Sequence, residues 1–378
     1  MSFPQYADTA TLLRGKSTDT PVFCFHPQGL RDAARRFVTH FPGEVLYAVK
    51  ANPHPAVLGW LVEGGIHAFD TASLAEIELA RRVLPGAHCS YNHPVKPRAA
   101  IATAWRDHGI RDFVVDHAAE LDKLIDVVGS DVTIQVRVAA PNPHATISFN
   151  SKFGAAPAQA AELLRRVVAV GATAAISTHI GYQTTDPDAF GAALRLIADV
   201  IATADVRPAY VNLGGGFPSV LMPAGVTLED FFAAIRSARA ELPVLAGVPL
   251  RCEPGSALAH HGGVVLTQVL LVREDAVFVN SGVYGALAEL IHSKVQPPLR
   301  VLTPRGELRE GEARPYTVFG PTCDSYDAIP VPFRLPSSVR EGDWLELGMM
   351  GAYSNILITD FNGLGAHEYV TLGQNGSA

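Results

Sequence analysis

The sequence predicts an α/β barrel followed by an all-β domain, and three observations carry that expectation. From about residue 27 to 255, short apolar runs rich in β-branched and aromatic residues alternate with longer amphipathic stretches. About eight such units fall within roughly 230 residues, the span of a closed parallel barrel. Past residue 262 the alternation stops, and strand-like runs follow one another with few helical patterns between them. An open doubly wound sheet competes for the first part, but no GxGxxG follows its first strand-like run.

The strand-like runs of the first part are VLYAVKA (45–51), IHAFD (66–70), HCSYN (88–92), DFVVD (112–116), IQVRV (134–138), AAISTHI (174–180), AYVNLG (209–214) and PLRCEP (249–254). A helix-like stretch, 29–40, precedes them. Ser73, with Glu76 three residues on, forms a capping box ahead of an apolar-periodic run. The stretches 158–170 and 186–204 are Ala/Leu-rich and amphipathic. Further on, VVLTQVLLV (264–272), AVFVNSGVY (276–284), PLRVL (298–302), YTVFG (316–320), DWLELGMM (343–350) and NILITDF (355–361) read as strands, with PRGELREGEAR (304–314) as a polar hairpin or loop. The expected division is a barrel over 26–261 and a β domain of 262–378, against which residues 1–25 pack.

Composition narrows the function classes. The 378 residues are 48% hydrophobic and 18% charged, which excludes a disordered chain. Lys and Arg number 30 against 37 Asp and Glu, a net charge of −7, so no nucleic acid is expected as a partner. No apolar run is long enough to span a membrane, and residues 1–19 lack a basic-then-apolar leader pattern. Cys24, Cys89, Cys252 and Cys323 are scattered, with no CxxC pair, as in a reduced cytoplasmic protein. The 14 His include no HExxH, and no metal is expected.

Catalytic groups of a parallel barrel sit just past the C-terminal ends of its strands. The polar residues Lys50, Asp70, Asn92, Arg137, His179, Gly214–Gly216 and Glu253 fall there. Lys50 ends an apolar run, either as a desolvated amine suited to Schiff-base chemistry or as a lysine that snorkels to water. Gly214, Gly215 and Gly216 can converge backbone N–H groups on an anion, or simply form a tight turn. Glu253 in Glu-Pro-Gly is a loop acid or the partner of a protonated ring nitrogen. His179 is a satisfied core histidine or a neutral imidazole against a flat ring. Cys323, in Gly-Pro-Thr-Cys-Asp, is a small buried hydrophobe or a reactive thiol in a polar turn. Tyr353, in Gly-Ala-Tyr-Ser, reaches a phosphate or caps the domain edge.

The set YAVKANP, FDTAS, HIG, LGGGFP, EPG, GPTCD and GAYS resembles the fold-type III pyridoxal-phosphate decarboxylases, which act on ornithine, lysine, arginine and diaminopimelate. The resemblance spans about residues 23–361, and GPTCDSYD and SKFG are closest to the ornithine/lysine branch. It implies an alanine-racemase-like (β/α)8 barrel of TIM type, a C-terminal β domain, pyridoxal 5′-phosphate (PLP) as cofactor, and a homodimer with shared active sites. Lys50 would carry the cofactor covalently, His179 would stack on its ring, and Glu253 would pair with its ring nitrogen. Gly214, Gly215, Gly216, Gly255, Ser256 and Tyr353 would surround its phosphate, with Asp70 and Arg137 in support. Cys323 would be the proton donor and Asp324 a substrate contact, both from the partner subunit.

Three departures stand out. Tyr182 follows HIG where the family has Ser, and Ser256 follows EPG where it has Arg, which removes a bidentate anion contact. The substrate segment, Val283–Lys294, places His292 and Ser293 where the branch carries an acid, with Glu289 the only carboxylate nearby. The reading taken is decarboxylation of a basic diamino acid, as in polyamine biosynthesis. Its rivals are a decarboxylase of a conjugated or unusual amino acid in siderophore or natural-product metabolism, and a catalytically silent relative that binds a regulator.

Overall fold

The computed structural model describes residues 3–149 and 151–373. The chain forms two compact units, one of residues 34–257 and one joining residues up to 33 with those from 258 onward. The observed divisions, 33/34 and 257/258, differ from the expected 25/26 and 261/262 by eight and four residues.

The first unit is a closed barrel of eight strands. In order around it run Glu44–Ala48, Ala68–Thr71, His88–Tyr91, Asp112–Val115, Thr133–Arg137, Thr173–Ser177, Val211–Asn212 and Leu250–Cys252, each parallel to its neighbours. Every expected barrel strand is present. Their runs are nearly continuously apolar because a barrel strand is buried on both faces, by the interior and by the outer helices. The helices Pro55–Glu63, Leu74–Val83, Arg98–Arg106, Ala118–Val128, Pro157–Ala169, Asp188–Ala204 and Leu228–Ala240 alternate with the strands. Around Phe217 the rings of Phe37, Phe190 and Phe232 gather, Phe190 stacking on Phe217 at 4.3 Å. Phe217 is 1% exposed, and burying such a ring stabilises by about 1.5–3 kcal/mol, which anchors the glycine loop just before it.

Two local expectations are corrected. The first barrel strand stops at Ala48, and Val49–Ala51 forms a 3-10 turn, so Lys50 stands on a turn rather than a strand. Ser73 Oγ accepts from Glu76 N–H at 3.3 Å, but the Glu76 carboxylate accepts from Ala72 N–H at 2.6 Å instead of closing the box on Ser73.

In the second unit, Val22–Phe25 lies between Gly263–Arg273, antiparallel, and Glu368–Leu372, parallel. Gln5–Tyr6 adds to the outer side of Glu368–Leu372, so the early residues join the sheet as expected. Gly263–Arg273 also pairs with Ala276–Val279 and Trp344–Leu347, and Leu299–Leu302 pairs with the latter. Leu12, Leu13, Val22, Cys24, Leu266 and Trp344 are buried together at its core.

NILITDF is not a strand. It runs as turns into a one-turn 3-10 helix, Phe361–Gly363, with Leu357 and Phe361 exposed. Apolar composition alone gave it a strand reading, and no buried face supports one. Conversely, Phe333–Pro336 pairs antiparallel with Ala313–Phe319 although prolines surround it, as an edge strand tolerates. AVFVNSGVY ends as a strand at Val279, where Asn280 Oδ1 accepts from Gln268 N–H at 2.8 Å and from the Thr267 hydroxyl at 2.7 Å and turns the chain.

Candidate active site

The parallel order puts every strand's C-terminal end at one mouth of the barrel. Lys50 Nζ lies 3.8 Å from Asp70 Oδ2, with the lysine side chain 49% exposed. The expected desolvation of this amine is therefore not seen in the single chain. Burial holds the Asp70 carboxyl above its usual range, against the attraction of Lys50 and Arg137.

Glu253 follows the Leu250–Cys252 strand. Asn92 Nδ2 donates to its Oε1 at 2.6 Å, and Asn212 Nδ2 donates to the same oxygen. Burial, and then repulsion from Asp70, push the Glu253 carboxyl up to about 8. Arg137 packs its guanidinium over Phe153 at 5.5 Å. Burial lowers its affinity for a proton against the pull of Glu253, Asp116 and Asp70. Within SKFG, Gly154 N–H donates to Asp116 Oδ2 at 2.9 Å.

His179 Nδ1 accepts from Gly181 N–H at 3.2 Å, and its ring meets Phe149 edge-on at 5.0 Å. Burial, with Arg137 and Lys50 nearby, holds the imidazole well below its usual range, so it is neutral. The glycine loop lies against it. A Cβ on Gly214 would come within 2.3 Å of Thr178 O, and one on Gly215 within 2.8 Å of Glu253 O and 3.0 Å of His179 Nε2. Gly216 has φ +101 and faces Gly181 O. These are positions only glycine fills.

Gly214, expected to offer its N–H to a phosphate, donates it to Asn212 Oδ1 at 2.9 Å. Tyr182, the first departure, is buried in a two-stranded ribbon with Ile147. Beside it Gln183 Nε2 donates to Ser219 Oγ at 2.8 Å, and Ser219 N–H donates to Gln183 Oε1 at 2.7 Å, tying that ribbon to the glycine loop. A Cβ on Gly255 would come within 3.0 Å of Ala51 Cβ and 3.3 Å of Ala48 Cβ, and Ser256 is buried at the start of a one-turn helix.

The other expected residues lie in the sheet unit. Cys323 is exposed and free of any disulfide, and its N–H donates to Asn362 Oδ1 at 3.1 Å. The Tyr284 hydroxyl donates to Asp324 Oδ2, which holds that carboxyl below its usual range. Asp327, buried, accepts from Val283 N–H at 2.8 Å and Thr322 N–H at 3.0 Å, joining the Cys323 loop to the Val283–Gly285 turn. Glu289 and Ser293 are buried, while His292 and Lys294 are exposed. Tyr353 is half-buried with φ +60, a left-handed conformation that costs a non-glycine residue about 1 kcal/mol.

The barrel mouth thus gathers a lysine, a neutral imidazole, a glycine cradle and an acid whose hydrogen bonds, among the described residues, reach one oxygen. These suit a flat, phosphorylated ring with a basic nitrogen, the chemistry of PLP, which Lys50, His179, Glu253 and the N–H groups of Gly215 and Gly216 would hold. The comparisons agree. A family model described as pyridoxal-dependent decarboxylase, pyridoxal binding domain, matches residues 28–260, and the chain belongs to that family of PLP-dependent amino-acid decarboxylases. The lysine/ornithine decarboxylase of Selenomonas ruminantium is 30% identical over 337 residues, covering 86% of this chain and 82% of that one. The ornithine decarboxylase of Panagrellus redivivus is 32% identical over 343 residues, covering 84% and 77%. The crystal structure of lysine/ornithine decarboxylase complexed with cadaverine from Vibrio vulnificus superposes with a TM-score of 0.82 at 28% identity, covering 95% of this chain and 96% of that one. No helix among the described residues is long and apolar enough to cross a membrane.

Sequence reading placed Asn92 at the mouth without giving it a role, and did not bring Gln135 or Asn212 to the site. The available signal was a polar residue in the middle of an apolar strand, Gln135 between Ile134 and Val136 and Asn212 between Val211 and Leu213.

Proposed function

We propose that the protein decarboxylates a basic diamino acid of the ornithine/lysine class to a diamine and CO2, as a homodimer with shared active sites. One observation carries the substrate class. Glu289, the sole carboxylate of the Val283–Lys294 segment, is 5% exposed, whereas His292 and Lys294 of the same segment face solvent. A buried carboxylate in this segment suits a distal ammonium, which loses several kcal/mol if desolvated without a partner. The names of the relatives, lysine/ornithine and ornithine decarboxylase, support the same class.

Bound PLP supplies an electron sink for the bonding pair released when CO2 departs. This chain's residues do the rest. Lys50 would hold the cofactor and give way to the substrate amine. Glu253 would hold the proton of the ring nitrogen. Neutral His179 would lie against the ring without adding charge. Cys323 of the partner subunit gives a proton to the substrate Cα, and Asp324 of the partner subunit, braced by a tyrosine hydroxyl, binds the far end of the substrate. The test is CO2 release from ornithine, lysine, arginine, diaminopimelate and conjugated diamino acids. Glu289→Gln should raise KM for the preferred diamino acid about tenfold or more, the worth of one charge-assisted hydrogen bond. Turnover of an acidic or conjugated substrate alone would refute the proposal.

A further inference from the structure

The interior of the barrel holds a continuous chain of polar side chains that ends on Glu253. At one end is the Asp112 carboxylate, at the start of its strand. It accepts from Tyr210 Oη at 2.6 Å, Arg251 at 2.7 Å and Gln135 Nε2 at 2.9 Å. Gln135 Nε2 also donates to Asn92 Oδ1 at 2.7 Å, and Gln135 Oε1 accepts from Asn212 Nδ2 at 3.0 Å. Asn92 and Asn212 then both donate to Glu253 Oε1.

An amide can face either way round, so the polarity of such a chain must come from groups with no choice. Two are present. An ionised Asp112 only accepts, so Gln135 must turn its NH2 toward it and its oxygen toward Asn212. The Gly214 N–H only donates, and it binds Asn212 Oδ1, so Asn212 must turn its NH2 the other way. The two constraints come from opposite ends of the chain and agree. Together they aim two N–H donors at one Glu253 oxygen, and among the described residues no donor is seen at Oε2.

We propose that Asn92, Gln135 and Asn212 form an amide bracket, polarised by Asp112, that positions Glu253 as an acceptor with Oε2 left for the cofactor ring. This rests on the assignment of Glu253 to the ring nitrogen. Gln135 touches no reacting atom and is a positioning residue. The bracket opposes burial and the Asp70 charge, which favour the neutral acid, and acts alongside Lys50 and Arg137, which favour the anion. The groups that face Asp112 are Arg251, His88, Tyr210 and, through His88 and Arg251, Glu44. Asn212 also ties Glu253 to the glycine loop, so ring nitrogen and phosphate ends share one support.

The test replaces Gln135 by its apolar near-isostere, Gln135→Met, in the full chain. Infrared titration of the apoprotein follows the C=O band of the protonated carboxyl that Glu253→Gln removes. In Gln135→Met its midpoint should rise by about one pH unit, a tenfold gain in proton affinity, because Asn92 is no longer aimed at Glu253 and Asn212 keeps only its Gly214 anchor. In the PLP-loaded dimer, kcat should fall roughly tenfold with KM within about twofold, the worth of one hydrogen bond to a charged group. A Gln135→Met protein with wild-type thermal stability, band midpoint and kcat would overturn the bracket. Should Gln135→Met not fold, Asn92→Ala, at a half-buried position, removes one donor directly and must raise the midpoint in the same sense, and an unmoved midpoint there is equally decisive against it. Failure of the underlying assignment reads differently: Glu253→Gln would then leave cofactor absorbance and turnover unchanged.

Discussion

The barrel mouth and the Cys323 loop of the sheet unit hold their chemistry in opposite ways. In the barrel the side chains themselves are fixed: Glu253 by Asn92 and Asn212, and Asn212 by Gln135 and Gly214. In the loop the backbone is held and the Cys323 side chain is left exposed. Asp327 and Asn362 take the N–H groups of Val283, Thr322 and Cys323, while the Cys323 thiol stands exposed. The difference follows from the tasks. A group that tunes a stationary ring gains from preorganisation in a water-poor interior. Under the proposed function, a group that delivers a proton to a second body needs reach, and an exposed thiol in a single chain is what a site completed by a partner subunit would leave behind.

The largest effect should come from the barrel. Lys50→Ala is expected to reduce turnover to background and to abolish covalent cofactor attachment. Borohydride reduction of the PLP-loaded wild type, then peptide mass spectrometry, should find the pyridoxyl group on Lys50. Label on another lysine would remove Lys50 from the centre of the comparison.

The loop should follow. Cys323→Ala is expected to slow turnover by about 10²–10⁴, the usual worth of a general acid. Mixing it with Lys50→Ala should restore up to about a quarter of wild-type activity, since random exchange makes half the dimers mixed and each mixed dimer has one intact site. Verified subunit exchange without recovery would place both residues' work in one chain.

Asp327→Asn sharpens the contrast further, because it loosens backbone and leaves the thiol in place. Only one amide oxygen remains for two N–H donors, and its NH2 must face the other, at a cost of about 1–3 kcal/mol. We expect kcat to fall about tenfold while the absorbance of bound PLP is unchanged. A changed cofactor spectrum would show that the loop and the barrel do not divide the work in this way.

Much of this was legible in the sequence. All eight barrel strands could be read because burial on both faces writes a nearly continuous apolar run, and the residues Asp70, Arg137, His179 and Glu253 toward the strand ends interrupt that pattern. The 3-10 turn under Lys50 could not, since Val49 and Ala51 are as apolar as a strand. NILITDF misled for the converse reason, having the composition of a strand without a face to bury. The amide bracket was hidden by distance: Gln135 meets residues 43 and 77 positions away, and only closure of the barrel pairs them.

The smallest expected effect tests the closed, polar end of the barrel. His88 Nδ1 lies 3.3 Å from Glu44 Oε1, and its Nε2 lies 3.7 Å from Asp112 Oδ2. The Asp112 carboxylate, and then the hydrogen-bonded Glu44 carboxylate, raise the imidazole to about 9 from its ordinary 6.5. A group whose affinity for protons is higher in the folded state stabilises that state while it is charged. The contribution is therefore complete below about 6.5 and is lost as pH rises through about 9. His88 is 36% exposed at the side chain, and solvent screening keeps the gain below about 1 kcal/mol. That corresponds to a melting-temperature difference of about 2–4 °C at most. His88→Gln keeps a polar side chain but never the charge. Its deficit against wild type, measured calorimetrically on the apoprotein, should be greatest near about pH 6 and close toward about pH 10. A constant gap across that range would mean that His88 supports the barrel by packing alone. The polarity of Asp112, and of the bracket above it, would then rest on Arg251 and Tyr210 without the imidazolium.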